Sequence, residues 1–223
     1  MSPYPTRRWR CAAVSLCTVL AACAGASRPL PGQDTTAVAP PPAPAPADTG
    51  ELPPGYGTLR RDEIVIRFGT PQIELQVLPL DEEVIRLLAP DTYRSLAALV
   101  ESQRAAVDSA ARRAAVRDPT LMLVTVVGLV GQARFTPEDL TVTSRGRLFR
   151  PVGIVPLSPV WSTQQLDARD QTRAIYLFED GILLRDPLTV TYAGIAIDSW
   201  ARAVRTLERE RARVRARAET PDQ

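Results

Sequence analysis

The spacing of hydrophobic and polar positions changes period several times between residues 58 and 217. Glu63-Ile64-Val65-Ile66-Arg67-Phe68 and Gln72-Ile73-Glu74-Leu75-Gln76-Val77-Leu78 predict two strands. The second alternates polar and apolar residues, so one of its faces is wet. Gly69-Thr70-Pro71 is a turn signal between them, which predicts a hairpin. Asp81 stands as an N-cap, with Glu82 and Glu83 in the first turn of a short helix, where the helix dipole favours acids. Pro90 ends that helix. Asp91 predicts the cap of a longer one, to about Arg117, whose Tyr93, Leu96, Val100, Val107, Ala111 and Ala114 follow helical spacing. Asp118-Pro119 is its expected stop. Leu121 to Val130 is apolar on both faces and too short to span a bilayer. It predicts a central strand covered on both sides, with the long helix as one cover.

From Ala133 the pattern is all-β. Leu140-Thr141-Val142-Thr143 predicts a strand and Ser144-Arg145-Gly146-Arg147 a turn. Leu148 to Leu157 predicts a strand broken by Pro151 and Pro156, which fits an edge or a bulge and not a sheet centre. Ala174 to Phe178 and Leu188 to Tyr192 predict two more strands. Asp180-Gly181 either closes a tight hairpin onto Ile182-Leu183-Leu184 or lies in a loop. Asp198 caps a last helix to about residue 217, on which Trp200, Val204 and Leu207 face the body. After Leu207 the apolar stripe fails, and Arg209, Arg211, Arg213, Arg215 and Arg217 point to nearly every face. That end is expected to project into water.

The first 57 residues carry a different message. Arg7, Arg8 and Arg10 form a positive segment, and Cys11 to Ala22 is an apolar run of signal-peptide length. Leu20-Ala21-Ala22-Cys23 closes it and resembles the lipobox of bacterial lipoproteins. In that family, cleavage leaves the Cys as the first residue, with diacylglycerol on its sulfur and usually a third acyl chain on its nitrogen. The resemblance therefore implies lipidation at Cys23 and a membrane anchor, since each buried CH₂ contributes ~0.8 kcal/mol and two or three chains hold where one is marginal. A residue other than Asp after the Cys, here Ala24, implies transfer to the outer membrane. An ordinary secretory signal cut after Ala22 or Ala24 is the alternative. Residues 29 to 55 hold nine prolines and almost no large apolar side chains. They cannot build a core and are expected to be a semi-rigid spacer of polyproline II and coil, at up to ~3.1 Å per residue. The expected organisation is a signal peptide over 1–22, a tether over 23–57, a domain over 58–197 and an Arg-rich helix and tail over 198–223.

The strand order from 133 to 194 resembles the Ig-like β-sandwich domains of bacterial envelope lipoproteins. The residues that carry this are the Gly146-Arg147-Leu148-Phe149-Arg150-Pro151 turn, the strand at Ile175 to Phe178 and the strand at Leu188 to Tyr192. The disulfide of antibody-type domains is absent. The expected fold class is α+β: an antiparallel Ig-like β-sandwich with an inserted long helix (about 91–117) and a C-terminal helix (about 198–217). The resemblance implies a module for interaction.

Composition narrows the chemistry further. Of 27 basic residues three precede Cys23, and none of the 25 acidic ones does, so 24 basic and 25 acidic residues remain from Cys23 on. That balance argues against general nucleic-acid binding. Every basic residue is Arg; the chain has no His, Lys or Asn, and its three cysteines (Cys11, Cys17, Cys23) all lie in or at the end of the export segment. Imidazole and Lys nucleophile systems, thiol redox chemistry and Cys- or His-ligated zinc are thereby excluded from the domain. No phosphate loop, nucleophile elbow or calcium-loop spacing is present, and no cofactor or metal is expected. The carboxylate pairs Glu82/Glu83, Glu138/Asp139 and Glu179/Asp180 sit at helix starts and turns, where acids usually solubilise. Trp161, in a proline-flanked loop, is a candidate for stacking on a sugar or anchoring a partner, or else a cap on the core. Residues 202 to 217 hold seven Arg and two Glu, which makes Arg205, Arg209, Arg213 and Arg217 candidates for contact with a partner or with anionic lipid. A solvated helix end is the plainer alternative. The expected function is a lipid-anchored envelope protein acting as a non-catalytic binding or scaffolding module. Its partners would be the membrane, through Cys23, and another envelope protein. A glycan or peptidoglycan hydrolase using a carboxylate pair and a lipid or ligand carrier are the alternatives.

Overall fold

The computed structural model describes residues 52–219. Cys23, the expected export segment and most of the Pro-rich stretch lie outside the described residues. Those described form a mixed α+β body of three antiparallel sheets and three α-helices around one apolar core.

The chain enters through a strap, residues 52–59, that composition assigns mostly to the tether. Leu52 and Leu59 are buried. The Leu59 N–H donates to the Leu87 carbonyl at 3.1 Å, the Ala89 N–H donates back to the Leu59 carbonyl at 2.8 Å, and Arg86 donates to the Leu52 carbonyl at 2.8 Å. Between these bonds Gly57 runs so close to the chain that an added Cβ would sit 2.3 Å from the Leu87 carbonyl carbon. Only glycine fits there.

The hairpin forms as expected, from β1 (Ile66–Gly69) and β2 (Ile73–Pro79). The upstream residues Arg61–Glu63 make a 3₁₀ turn instead of extending β1. Asp81 caps α1 (Glu82–Ile85), accepting the Glu83 N–H at 2.9 Å. The long helix α2 (Pro90–Arg113) starts two residues earlier than a cap at Asp91 suggests, with Ala89 as its N-cap. Pro90 occupies the first helical position, where its missing N–H costs nothing. It also ends earlier than Asp118-Pro119 suggests. Ala115 turns to φ 56°, the Ala115 N–H bonds the Arg112 carbonyl, and the Val116 N–H bonds the Ala111 carbonyl. This is a Schellman stop built without glycine, which left no signal in the sequence.

β3 (Thr120–Gly128) is the central strand that its two-sided apolarity predicts. It pairs with β2 on one edge and with β9 (Gln171–Phe178) on the other. Leu129 and Val130 fall outside it and are exposed. A short β4 (Ala133–Arg134) leads to β5 (Thr141–Ser144). The Arg145-Gly146 turn, with both φ values positive, then returns β6 (Arg147–Phe149) as a two-residue hairpin. The chain crosses at Arg150 into β7 (Pro151–Pro156), the edge of the five-stranded sheet, with a register shift between Pro151 and Gly153. Both prolines thus sit where an edge and a bulge tolerate them. After β8 (Gln165–Leu166), β9 (Gln171–Phe178) fills the five-stranded order β1-β2-β3-β9-β7. Residues 182–184 form no strand, so Asp180-Gly181 belongs to a loop. β10 (Leu188–Tyr192) and β11 (Ile195–Ile197) complete a four-stranded sheet, β11-β10-β5-β6, and α3 (Trp200–Glu219) ends the described chain. Among the described residues no helix is long and apolar enough to cross a membrane.

α2 covers the five-stranded sheet at β7 and β9. The contact is close because Gly153 has no side chain. A Cβ there would meet the Ala110 Cβ at 3.3 Å and Leu177 at 3.7 Å. We predict that Gly153→Val destabilises the domain by about 1–3 kcal/mol through overpacking. Ala110→Gly, itself costing about 1 kcal/mol in a helix, should reduce the cost of Gly153→Val. A double-mutant cycle on urea midpoints checks this; equal costs in both backgrounds would show that the helix does not press on the strand there.

Candidate functional site on the C-terminal helix

α3 places its residues by spacing. Trp200, Val204, Leu207, Glu210 and Val214 recur every three or four positions, with Ala203 beside Val204, and all are buried. The Trp200 indole donates to the Leu184 carbonyl at 3.0 Å. The expectation that the stripe fails after Leu207 is therefore corrected: it continues through Glu210 and Val214, and the helix end packs instead of projecting. Glu210 hides the continuation because a charged residue breaks an apolar pattern on paper.

Its carboxylate has no accessible surface. Oε1 accepts the Thr58 N–H at 3.0 Å, the Thr58 hydroxyl at 2.8 Å and Arg217 Nη1 at 3.1 Å. Oε2 has no hydrogen-bond partner among the described residues and lies 3.6 Å from Arg213 Nη1. Burial pushes the carboxyl up. The hydrogen bonds from Thr58 and Arg217, with the Arg217 charge, outweigh burial and hold it below the ordinary carboxylate range. Arg217 also donates to the Tyr56 carbonyl. The strap is thus tied to α3 by one buried acid and one arginine.

The arginines of α3 divide accordingly. Arg217 is occupied with the strap, which removes it from the candidate contact surface. Arg211 is half-buried 3.9 Å from Glu83, and burial, with Arg185 nearby, lowers its pKa. Arg185 donates to the same Glu83 from the 180s loop at 3.0 Å, so one carboxylate joins α1, that loop and α3. Arg205, Arg209 and Arg213 are exposed and share a face, and Arg202, not singled out from the sequence, extends it. Trp161 is elsewhere in role: it is 5 % exposed and packs edge-on against Phe135 at 5.1 Å and Tyr176 at 5.9 Å between ring centres. It is a core residue, which matches the second of the two readings its sequence leaves open, the cap on the core. Tyr176 donates to the Pro137 carbonyl at 3.0 Å, and burial raises its hydroxyl pKa well above the usual phenol range.

The carboxylate pairs are not arranged across a cleft. Glu82 accepts from Arg86 at 2.7 Å and from the Tyr93 hydroxyl at 2.8 Å, Glu83 is bound to Arg185, and Glu179 accepts from Arg147 at 2.7 Å. Glu138, Asp139 and Asp180 are exposed. Two open grooves of about 420 and 490 Å³ share Asp81, Thr120 and Ile182 in their lining. Asp81 is exposed by area. Crowding of its carboxyl by surrounding atoms nevertheless raises its pKa, with help from the Glu83 and Glu82 charges and against the N–H groups of Glu83 and Val84. Its carboxylate is committed to capping α1. No group of three potential His, Cys, Asp or Glu metal ligands is found among the described residues.

Two predictions follow from this packing. Glu210→Ala should cost about 1–3 kcal/mol, because it leaves the Thr58 donors without their acceptor. The Glu210 stabilisation is complete above the unfolded carboxyl pKa near 4.5 and is lost as pH falls through the lowered folded value. Urea midpoints measured between neutral and acid pH should therefore drop for the wild type and drop less for Glu210→Gln; parallel curves would refute the assignment. Trp161→Ala should cost about 3–5 kcal/mol, and Trp161→Phe much less. A Trp161→Ala domain of unchanged melting temperature would return Trp161 to the list of binding residues.

Comparison with known proteins gave no match to a family model, to a curated protein or to a solved structure, so the chemistry of these residues is the basis for any functional reading.

Proposed function

We propose that this chain is a lipid-anchored protein of the bacterial cell envelope, held in the outer membrane through Cys23, and that its folded part is a non-catalytic binding or scaffolding module in envelope assembly. The observation that carries the reading is the sequence Leu20-Ala21-Ala22-Cys23 after a positively charged, apolar leader, followed by a Pro-rich spacer that ends at a packed domain. In this reading the five- and four-stranded sheets are the two leaves of an Ig-like sandwich, elaborated by α2 on one face. The surface placement of Glu82, Glu83 and Glu179 in ion pairs supports binding over hydrolysis. Two carboxylates serving acid–base chemistry on a glycosidic bond would stand apart in unlike environments across a substrate cleft.

Cys23→Ser should abolish metabolic labelling by palmitate; a wild-type chain that takes up no label, or a Cys23→Ser chain labelled as strongly as the wild type, would sink the anchor. Deleting residues 29–50 should leave the melting temperature unchanged, because it spares Leu52 and the rest of the strap that is bonded to the body. The same deletion should weaken crosslinked capture of an envelope partner from intact cells. Release of reducing sugar or peptide from purified peptidoglycan by the purified protein would replace the binding reading with the hydrolytic one.

A further inference from the structure

The solvent side of α3 carries Arg202, Arg205, Arg209 and Arg213, spaced three, four and four residues apart. All four are exposed. At 3.6 residues per turn they form one row, about 16 Å long, on the side of the helix away from Val204, Leu207 and Val214. No acid interrupts it: Glu210 is buried, and Glu208 and Glu219 lie about a quarter-turn aside. Among the described residues Arg202, Arg205 and Arg209 have no ion pair, and Arg213 has only the Glu210 carboxylate at 3.6 Å. A like-charged row at this spacing costs the isolated helix by self-repulsion. That cost is offset when an anionic surface covers the row.

The second observation is where the chain enters. Tyr56 and Thr58 of the strap are held by Arg217 and Glu210 of the same helix. Traced back towards Cys23, the strap therefore runs past α3 before Leu52 meets Arg86 at the end of α1. If Cys23 is anchored, the spacer keeps the row, of which Arg202, Arg205 and Arg209 have no ion pair among the described residues, at high local concentration near the bilayer.

We propose that the Arg202/Arg205/Arg209/Arg213 row docks the domain on the anionic phospholipid headgroups of the membrane. The membrane in this proposal rests on the lipid-anchor reading; the affinity for headgroups does not. Guanidinium groups suit the partner, since they bind phosphate oxygens bidentately and stay charged at any physiological pH. The apolar side of α3 is spent on the domain core, so docking is superficial and electrostatic. It is weakened by salt on the scale of the ~8 Å Debye length at physiological ionic strength.

The test uses the chain from residue 23 onward carrying Cys23→Ser, so that no acyl chain drives binding. Its co-sedimentation is measured with vesicles of phosphatidylcholine alone and of phosphatidylcholine mixed with phosphatidylglycerol. The unsubstituted row should bind the mixed vesicles, release in high salt, and ignore phosphatidylcholine. Each Arg→Gln change in the row should lower partitioning about fivefold, and the fourfold variant by at least about thirtyfold. A control replaces four exposed arginines elsewhere, Arg67, Arg134, Arg150 and Arg169, by Gln. It matches the net charge and should keep most of the binding. Melting curves confirm that both variants are folded. Equal loss in the two variants, or binding to both vesicle types alike, overturns the proposal. So does binding of the row to polyglutamate with none to anionic vesicles, which would assign it to an acidic polypeptide. Acylation of the wild-type chain, read separately by mass, decides the anchor: vesicle docking without acylation would retain the row and remove the anchor.

Discussion

β3 is hydrogen-bonded along both edges, to β2 and to β9, and this double pairing sets the terms for everything around it. A strand in that position has no wet edge, and Met122, Leu123, Val124 and Val126 are at most 1 % exposed. Both of its faces need cover. α2 supplies it on one side, over the partner strands β9 and β7, where Gly153 allows contact with Ala110. The remaining strands take the other tasks: β7 accepts the prolines as an edge, and the Arg145-Gly146 turn sends the four-stranded sheet back through β6. The aromatic row Phe135, Trp161, Tyr176 and Phe178 fills the space that smaller side chains would leave open.

Charge then differentiates residues that composition treats as alike. All basic residues here are Arg, yet their surroundings give them separate tasks. Arg217 fastens the strap, Arg185 and Arg211 share Glu83, and Arg147 lies over the Phe149 ring at 4.6 Å while binding Glu179. On the exposed row of α3, Arg202, Arg205 and Arg209 have no ion pair among the described residues, and Arg213 has only the Glu210 carboxylate at 3.6 Å. The difference comes from geometry: an arginine beside a carboxylate or a carbonyl is consumed by the fold, and one on an outward helix face keeps its donors for something outside the chain.

Much of the fold was legible because its strongest signals are local. The β1–β2 hairpin, the Asp81 cap, the central β3, the edge prolines and both long helices follow from periodicity and from residues with restricted backbones. What failed to show has specific causes. The stop of α2 uses Ala115 at positive φ, where a glycine would have announced it. β11 follows Ala193-Gly194, a two-residue turn with both φ values positive and only three residues of strand behind it, too short for alternation to register. The strap was hidden inside a proline-rich composition, and its Gly57 is explained only by a backbone thirty residues away.

Sequence alone carries the expectation of an export leader, the lipobox resemblance at Cys23, the absence of His, Lys and domain cysteines, and the order of most elements. These depend on residue identity and near-neighbour spacing, which survive without coordinates. Tertiary structure alone decided that Glu210 is a buried acceptor, that Arg217 is occupied and Arg202 is available, and that Trp161 belongs to the core. Those assignments depend on which distant segment arrives at a given helix face. Burial and pairing of a charged side chain are properties of that arrival, and no spacing rule within a helix contains them.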